Sequence, residues 1–310
     1  MSSTLARYAS LLPLVGFCSA TVAGTALAQD VEPRALSPAP VGTNAVGAAL
    51  SGSFGNVLLD KTLPVEDLDG TIFSLVPSYT RYFGTFGLTT RLTAAVPFVT
   101  GSWDAVVKTE PITPVDTTIH RTGVGDAVLN ATVFLVGAPA MTRQEFRDYR
   151  AKTVFGFNLR LKVPIGQYDP SKLVNLGSNR WQVAPGLALS HWIGNLSLEA
   201  YAIAWLFSDN DALLGDNVLS QAPLYAFQFN VGYNFKRNLW LSAGVRQTDG
   251  GRTTLNGVQR DDPTENTRIG IVLGLPIATG HTLKLVGTTG IRSTAGTDFD
   301  TVVVQWVYIW

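Results

Sequence analysis

Charged and aromatic side chains recur singly in this sequence, each set between apolar neighbours, and that spacing decides what chemistry they can do. Arg160 and Lys162 alternate with Leu159, Leu161 and Val163, and Arg268 alternates with Thr267, Ile269 and Ile271. In extended chain, such alternation sends apolar side chains to one face and polar ones to the other. The polar face then collects Arg91, Arg160, Lys162, Arg180, Arg246, Arg268, Lys284 and Arg292, with Asp126 and Glu199 as its acids. A face so weighted toward cations attracts anions, and rings of basic side chains select anions in pores. The competing reading is an ion-pair network filling a narrow interior, with loop acids such as Asp261 and Asp262 folding inward. Asn158, Tyr201, Trp205 and Trp240 fall on the same face, where the aromatics either line a path for apolar rings or pack a filled interior.

Other chemistries find less support. The sequence has neither a Gly-x-Ser-x-Gly elbow nor a Gly-x-x-x-x-Gly-Lys phosphate loop, and Gly123-Val124-Gly125 has Val128 where a dinucleotide fingerprint needs its third glycine. His120, His191 and His281 each lack a second histidine at zinc-ligand spacing. Ser190 and His191 are adjacent, so on a strand they point to opposite faces and cannot pair. Asp209, Asp211 and Asp216 do not follow the EF-hand pattern and read as a solvated loop. No catalytic residue, cofactor or metal site is expected.

The elements that position the polar face are strands. The alternation repeats in about twelve stretches, near 45–57, 71–83, 86–98, 122–137, 152–165, 180–192, 195–207, 222–235, 239–249, 267–277, 282–292 and 299–310. Tight connections at 84–85, 193–194, 236–238 and 278–281 alternate with longer ones at 58–70, 99–121, 166–179, 208–221 and 250–266. Met141–Arg150 reads as a short polar helix on the tight-turn side. Only 15% of residues are charged, with 30 Gly, 7 Trp, 9 Tyr and 15 Phe; soluble domains carry about 25% charged residues. The last strand ends in Trp306, Tyr308 and Trp310 on its apolar face, which suits a membrane interface. The fold class expected is all-β: a transmembrane antiparallel up-and-down β-barrel of about twelve strands, with both ends on the periplasmic side. An apolar face turned to lipid also explains the inward charges, since Arg or Lys at the bilayer midplane costs about 2–4 kcal/mol.

Lys+Arg and Asp+Glu are both 23, so the net charge is zero, which argues against a nucleic-acid partner. Arg7, the apolar run Leu11–Leu27 and Ala26-Leu27-Ala28 form a secretory signal-peptide pattern over 1–28. Cys18, the one cysteine, lies inside it. The Pro-bearing stretch 29–44 is expected to be irregular, periplasmic or tucked into the barrel mouth, and 45–310 to be the barrel.

Several stretches carry a family resemblance: Ala39-Pro40-Val41-Gly42-Thr43-Asn44, Thr122-Gly123-Val124-Gly125-Asp126, Val163-Pro164-Ile165-Gly166-Gln167-Tyr168-Asp169 and, most specific, Asn175-Leu176-Gly177-Ser178-Asn179-Arg180-Trp181. Asn266-Thr267-Arg268, His281-Thr282-Leu283-Lys284-Leu285 and Asp298-Phe299-Asp300 continue it over about 39–310. The chain resembles the Gram-negative outer-membrane family associated with the meta-cleavage pathway of phenol degradation. The resemblance implies an outer-membrane barrel with a role in uptake of small hydrophobic or aromatic compounds, and it supplies no catalytic set. With the cationic face, anions such as aromatic carboxylates become the favoured solutes. Expected partners are outer-membrane lipid, lipopolysaccharide phosphate, which Arg180 and Arg292 meet if they sit at the rim instead of in the lumen, and the barrel-assembly machinery through the strand ending at Trp310. The alternatives are a barrel enzyme acting on lipid, which needs a Ser–His contact at the outer leaflet, and a closed structural or adhesive barrel.

Overall fold

A computed structural model describes residues 33–58, 65–109, 112–236 and 238–310; the expected signal peptide lies outside them. The strands are β1 (Asn44–Leu58), β2 (Val65–Thr85), β3 (Leu88–Ala95), β4 (Phe98–Thr109), β5 (Ile112–Val124) and β6 (Ala127–Val136). A one-turn helix α1 (Arg143–Phe146) precedes β7 (Thr153–Val163), β8 (Gln182–Ile193) and β9 (Leu196–Phe207). Then come β10 (Asn210–Leu213), β11 (Asn217–Gln221), β12 (Leu224–Lys236), β13 (Leu239–Gly250), β14 (Thr253–Leu255) and β15 (Val258–Gln259). The chain ends in β16 (Thr264–Ala278), β17 (His281–Arg292) and β18 (Gly296–Ile309).

Twelve of these close an antiparallel ring in the order β1, β2, β3, β6, β7, β8, β9, β12, β13, β16, β17, β18, with β18 returning to β1. The closing seam pairs Ala45 with Ile309 and runs to Leu58 with Gly296. Within the ring, closure leaves no unpaired strand edge, the condition under which β structure can sit in lipid. Alternation then decides which side chains meet lipid. Phe227 is 61% exposed and Val302 58%, whereas inward Glu199 is 1% exposed. The β2–β3 turn holds both central residues at positive φ, Phe86 at 51° and Gly87 at 78°, the hairpin geometry whose twist matches the flanking strands. The segment 141–150 is helical only over Arg143–Phe146, where Thr142 and Glu145 form a capping box.

Three expectations about elements change. The segment 99–121, expected as a loop, is mostly the β4–β5 hairpin, which extends the β2–β3 and β6 part of the wall outward. The expected strand 86–98 is β3 and β4 in series, broken at Pro97, which has no N–H for the ladder. The loops at 208–221 and 250–266 carry β10, β11, β14 and β15, a second four-stranded sheet. Outside the lipid zone a strand needs no apolar face, so His120-Arg121-Thr122 gave no periodic signal.

Beyond Val124 the wall is completed differently. β5 pairs with β4 and with no further strand among the described residues. The segment 164–181 fills that side, with Gln167 N–H donating to the Val124 carbonyl at 2.9 Å and Arg121 Nε donating to the Val174 carbonyl at 2.9 Å. Its Val174 and Leu176 pack with Leu68, Ile72, Val99, Trp103 and Phe299 in an apolar cluster at the outer end.

Candidate functional site

The candidate site is the barrel interior, which three features divide along the axis. β18 sets the order, since its inward residues run from the outside to the periplasmic end. Phe299 belongs to the outer apolar cluster, Thr301 and Val303 line a middle chamber, and Val307 and Ile309 line an inner one. The middle chamber holds about 270 Å³ and the inner about 500 Å³. Ser78, Thr93, Arg160 and Gln305 line both, so the chambers adjoin.

Residues 33–43 lie at their junction. Pro33 lines the middle chamber, and Arg34 to Ala39 line the inner one. Arg34 adopts φ 66°, a region where a non-glycine residue is strained. There its backbone N–H donates to Glu199 Oε2 at 2.7 Å, while the Tyr201 hydroxyl donates to the same oxygen at 2.6 Å. The Arg34 guanidinium lies over the Trp240 ring at 4.9 Å. Leu36 is 1% exposed, packed with Phe134, Ala138, Val154, Ala188 and Tyr201. A Cβ at Gly156 would stand 2.7 Å from Leu36 Cδ2, so that glycine makes the seat for the leucine. Farther on, Gly42 N–H donates to the Tyr82 carbonyl and Val41 N–H to the Met141 carbonyl. The described part of the stretch expected to be irregular, from residue 33 on, is therefore bound into the lumen by one leucine and a line of backbone hydrogen bonds.

The expected lumen residues separate into groups. Arg91, Asn158, Arg160, Tyr201, Trp205, Trp240 and Lys284 line the inner chamber. Arg91 donates to Thr132 Oγ1 at 3.1 Å, and Asn158 Nδ2 donates to Thr132 Oγ1 at 2.9 Å, giving that wall a polar ladder. Arg160, Arg246 and Arg268 line the middle chamber. Glu199 lines neither and holds Arg34 and Tyr201 from behind.

Four further expected residues line neither chamber. Asp126 and Lys162 form a buried pair at 3.4 Å. Asp126 accepts from Gly166 N–H at 3.0 Å and from the Ser178 N–H at 2.8 Å, with the Ser178 hydroxyl as a further donor. This pair pins the 164–181 segment. Arg180 precedes β8 instead of beginning it; it donates to Gln221 Oε1 at 2.6 Å and lies over the Phe207 ring at 4.6 Å. Arg292 is exposed at the outer rim, bonded to Glu265 at 2.6 Å, because a register shift between Thr267 and Arg268 carries the strand end past the lumen. In the outer segment, Lys172 and Ser171 hold the Asp169 carboxyl well below the usual carboxylate range. Ser190 is buried inside the wall, while His191 Nδ1 lies 2.8 Å from Thr153 Oγ1.

Sequence reasoning did not single out Arg34, Leu36, Asn230 or Trp103. Arg34 and Leu36 lie outside any strand, where no periodicity marks them. Asn230 was on a visibly polar face, among Gln228, Gly232 and Asn234, and that face was its available signal.

Residues 46–298 match the family described as "Putative MetA-pathway of phenol degradation". Among solved structures, the chain is similar to an outer membrane channel from Pseudomonas putida F1, with TM-score 0.74 and 21% identity over 91% of this chain and 100% of that one. The β domain of the Bordetella autotransporter BrkA is a more distant likeness, with TM-score 0.46 and 11% identity over 86% of this chain and 99% of that one. No curated protein matches the chain in sequence.

Proposed function

The chain belongs to this phenol-degradation family of outer-membrane barrels, and from that premise we propose that it is a channel for small hydrophobic or aromatic compounds, with a preference for anions such as aromatic carboxylates. The observation that carries the reading is the pair of adjoining chambers inside the ring. A barrel serving only as a wall or an adhesin gains nothing from an interior void, since each unfilled cavity is destabilising. The chamber walls mix apolar and aromatic surface with Arg91, Arg160, Arg246, Arg268 and Lys284. Apolar walls admit rings, and the cations lower the barrier for negative charge. In the same reading, lipid and lipopolysaccharide surround the barrel, and the strand ending at Trp310 is the signal to the assembly machinery.

Single-channel recording of refolded protein across a salt gradient tests this. Discrete openings with a reversal potential on the anion side are expected. Silence from protein shown to be folded overturns the channel, and a cation-side potential overturns the anion preference.

A further inference from the structure

The middle chamber holds an arrangement that passage alone does not require. Arg246 on β13 and Arg268 on β16 are direct cross-strand partners, so their side chains leave one face with Cβ atoms about 5 Å apart, where like charges repel. Arg268 donates to Thr288 Oγ1 at 3.2 Å and to the Phe299 carbonyl, both neutral acceptors. Arg246 lies over the Trp205 ring at 5.2 Å. One strand away, Asn230 is 2% exposed. Its Oδ1 accepts from Gln228 Nε2 at 3.2 Å, which leaves Nδ2 as a buried donor with no hydrogen-bond partner. An unmet buried donor costs about 1–3 kcal/mol. The wall is shaped to keep that amide in place, since a Cβ at Gly244 would stand 1.8 Å from Asn230 Oδ1.

Beside the Gln228 amide, which donates to Asn230, the polar groups on this side that offer hydrogens are two guanidiniums and the Asn230 amide. No acidic residue is among the chamber's described lining residues. The rest of its lining sets apolar Ala49, Val76, Val286 and Val303 beside the neutral polar groups of Ser78, Thr93, Thr301 and Gln305 and a third guanidinium, Arg160. A dry cavity of about 150 Å³ holds benzene, so about 270 Å³ takes a ring with a short carboxylated chain.

We propose that the middle chamber is a binding site for one amphipathic monocarboxylate. The carboxylate is held by Arg246, Arg268 and Asn230 Nδ2, and the apolar body lies against Val286 and Val303. The site deepens the channel reading and rests on it: a solute would pause here during passage. A bidentate guanidinium–carboxylate contact supplies both charge and orientation.

The test is calorimetric titration of the full-length protein in zwitterionic lipid nanodiscs with 4-phenylbutyrate and with its uncharged analogue 4-phenylbutyramide. Saturable one-to-one binding of the acid, at least about tenfold tighter than the amide, is expected. Arg268→Gln should weaken the acid about tenfold and leave the amide unchanged, and Val303→Phe should weaken both by filling the chamber. Equal binding of acid and amide, or an unchanged acid affinity in Arg268→Gln, overturns the site. If Arg268→Gln fails to fold, Val303→Phe decides: undiminished binding overturns the site. Conductance is read on the same protein. Binding without current keeps the site and removes the channel; current without saturable acid binding removes the site alone.

Discussion

At the scale of single residues, the lumen is governed by what each charge can reach. Arg160 and Arg268 face the chambers, so replacing both with Glu is expected to move the reversal potential from the anion to the cation side. An unmoved potential would show that they fill space without setting selectivity. The Asp126–Lys162 pair is a different case, being buried and lining neither chamber. Asp126→Asn leaves a buried ammonium without its counter-charge, and breaking such a pair costs about 3–5 kcal/mol. The expected outcome is faster proteolysis within 164–181 and a lower unfolding midpoint in urea. Unchanged cleavage there would mean that Ser178 and Gly166 hold the segment without the charge. The acid dependence of the outer turn at Asp169 follows from its depressed carboxyl. A lowered folded-state pKa gives stabilisation that is complete above the unfolded carboxyl's value, about 3.9, and is lost as pH falls through the folded one. The Ser171 amide donates to Asp169 Oδ1 at 3.0 Å, so its NMR shift should titrate below the ordinary aspartate range. Titration near 3.9 would show no depression.

At the scale of elements, the strands were legible and their outer extensions were not. In β12, Tyr225, Phe227, Phe229, Val231 and Tyr233 alternate with Ala226, Gln228, Asn230 and Gly232, because one side meets lipid and the other the lumen. In β5, Ile119 packs on the outer apolar cluster and His120-Arg121-Thr122 follow without alternation, so the code that marks a strand in lipid is missing. The segment 33–43 was illegible for another reason: its place is set by contacts with Glu199, Tyr82 and Met141, more than 38 residues away at the nearest. For Arg180 and Arg292 alternation favoured the lumen with the rim as the alternative; Arg180 lies ahead of β8, and Arg292, beside a register shift, is exposed at the rim. Leu36 offers a test of this segment. Leu36→Asp puts a carboxylate into an apolar seat, where burying an unpaired charge is costly. The segment is expected to leave the junction and single-channel conductance to rise several-fold. Constant conductance would show that 33–43 does not limit the path.

At the scale of the whole molecule, the ring draws its stability from closure, and the last strand supplies it. His281 stacks on Tyr308 at 4.5 Å and Trp310 on Tyr308 at 5.4 Å, an aromatic run at the periplasmic end of the seam. Removing Trp310 is expected to lower the yield of folded barrel in the outer membrane while leaving the conductance of each assembled channel unchanged. Altered unitary conductance would place Trp310 in the path; unaltered yield would remove it from assembly.

The seam has a consequence in time. Asn44 and Trp310 exchange backbone hydrogen bonds at 3.1 and 3.0 Å, so the first and last rungs of the barrel are one contact. A chain made from its N-terminus onward cannot form that contact until its final residue has been synthesised. Until then β1 has one edge bare, and the partly made sheet is a template for any stray strand. The same adjacency means that a ring rejoined from Trp310 to Asn44 through a short turn, and cut at Phe86–Gly87, would keep its strand pairings, lose residues 33–43 from the lumen and move the bare edge to β3.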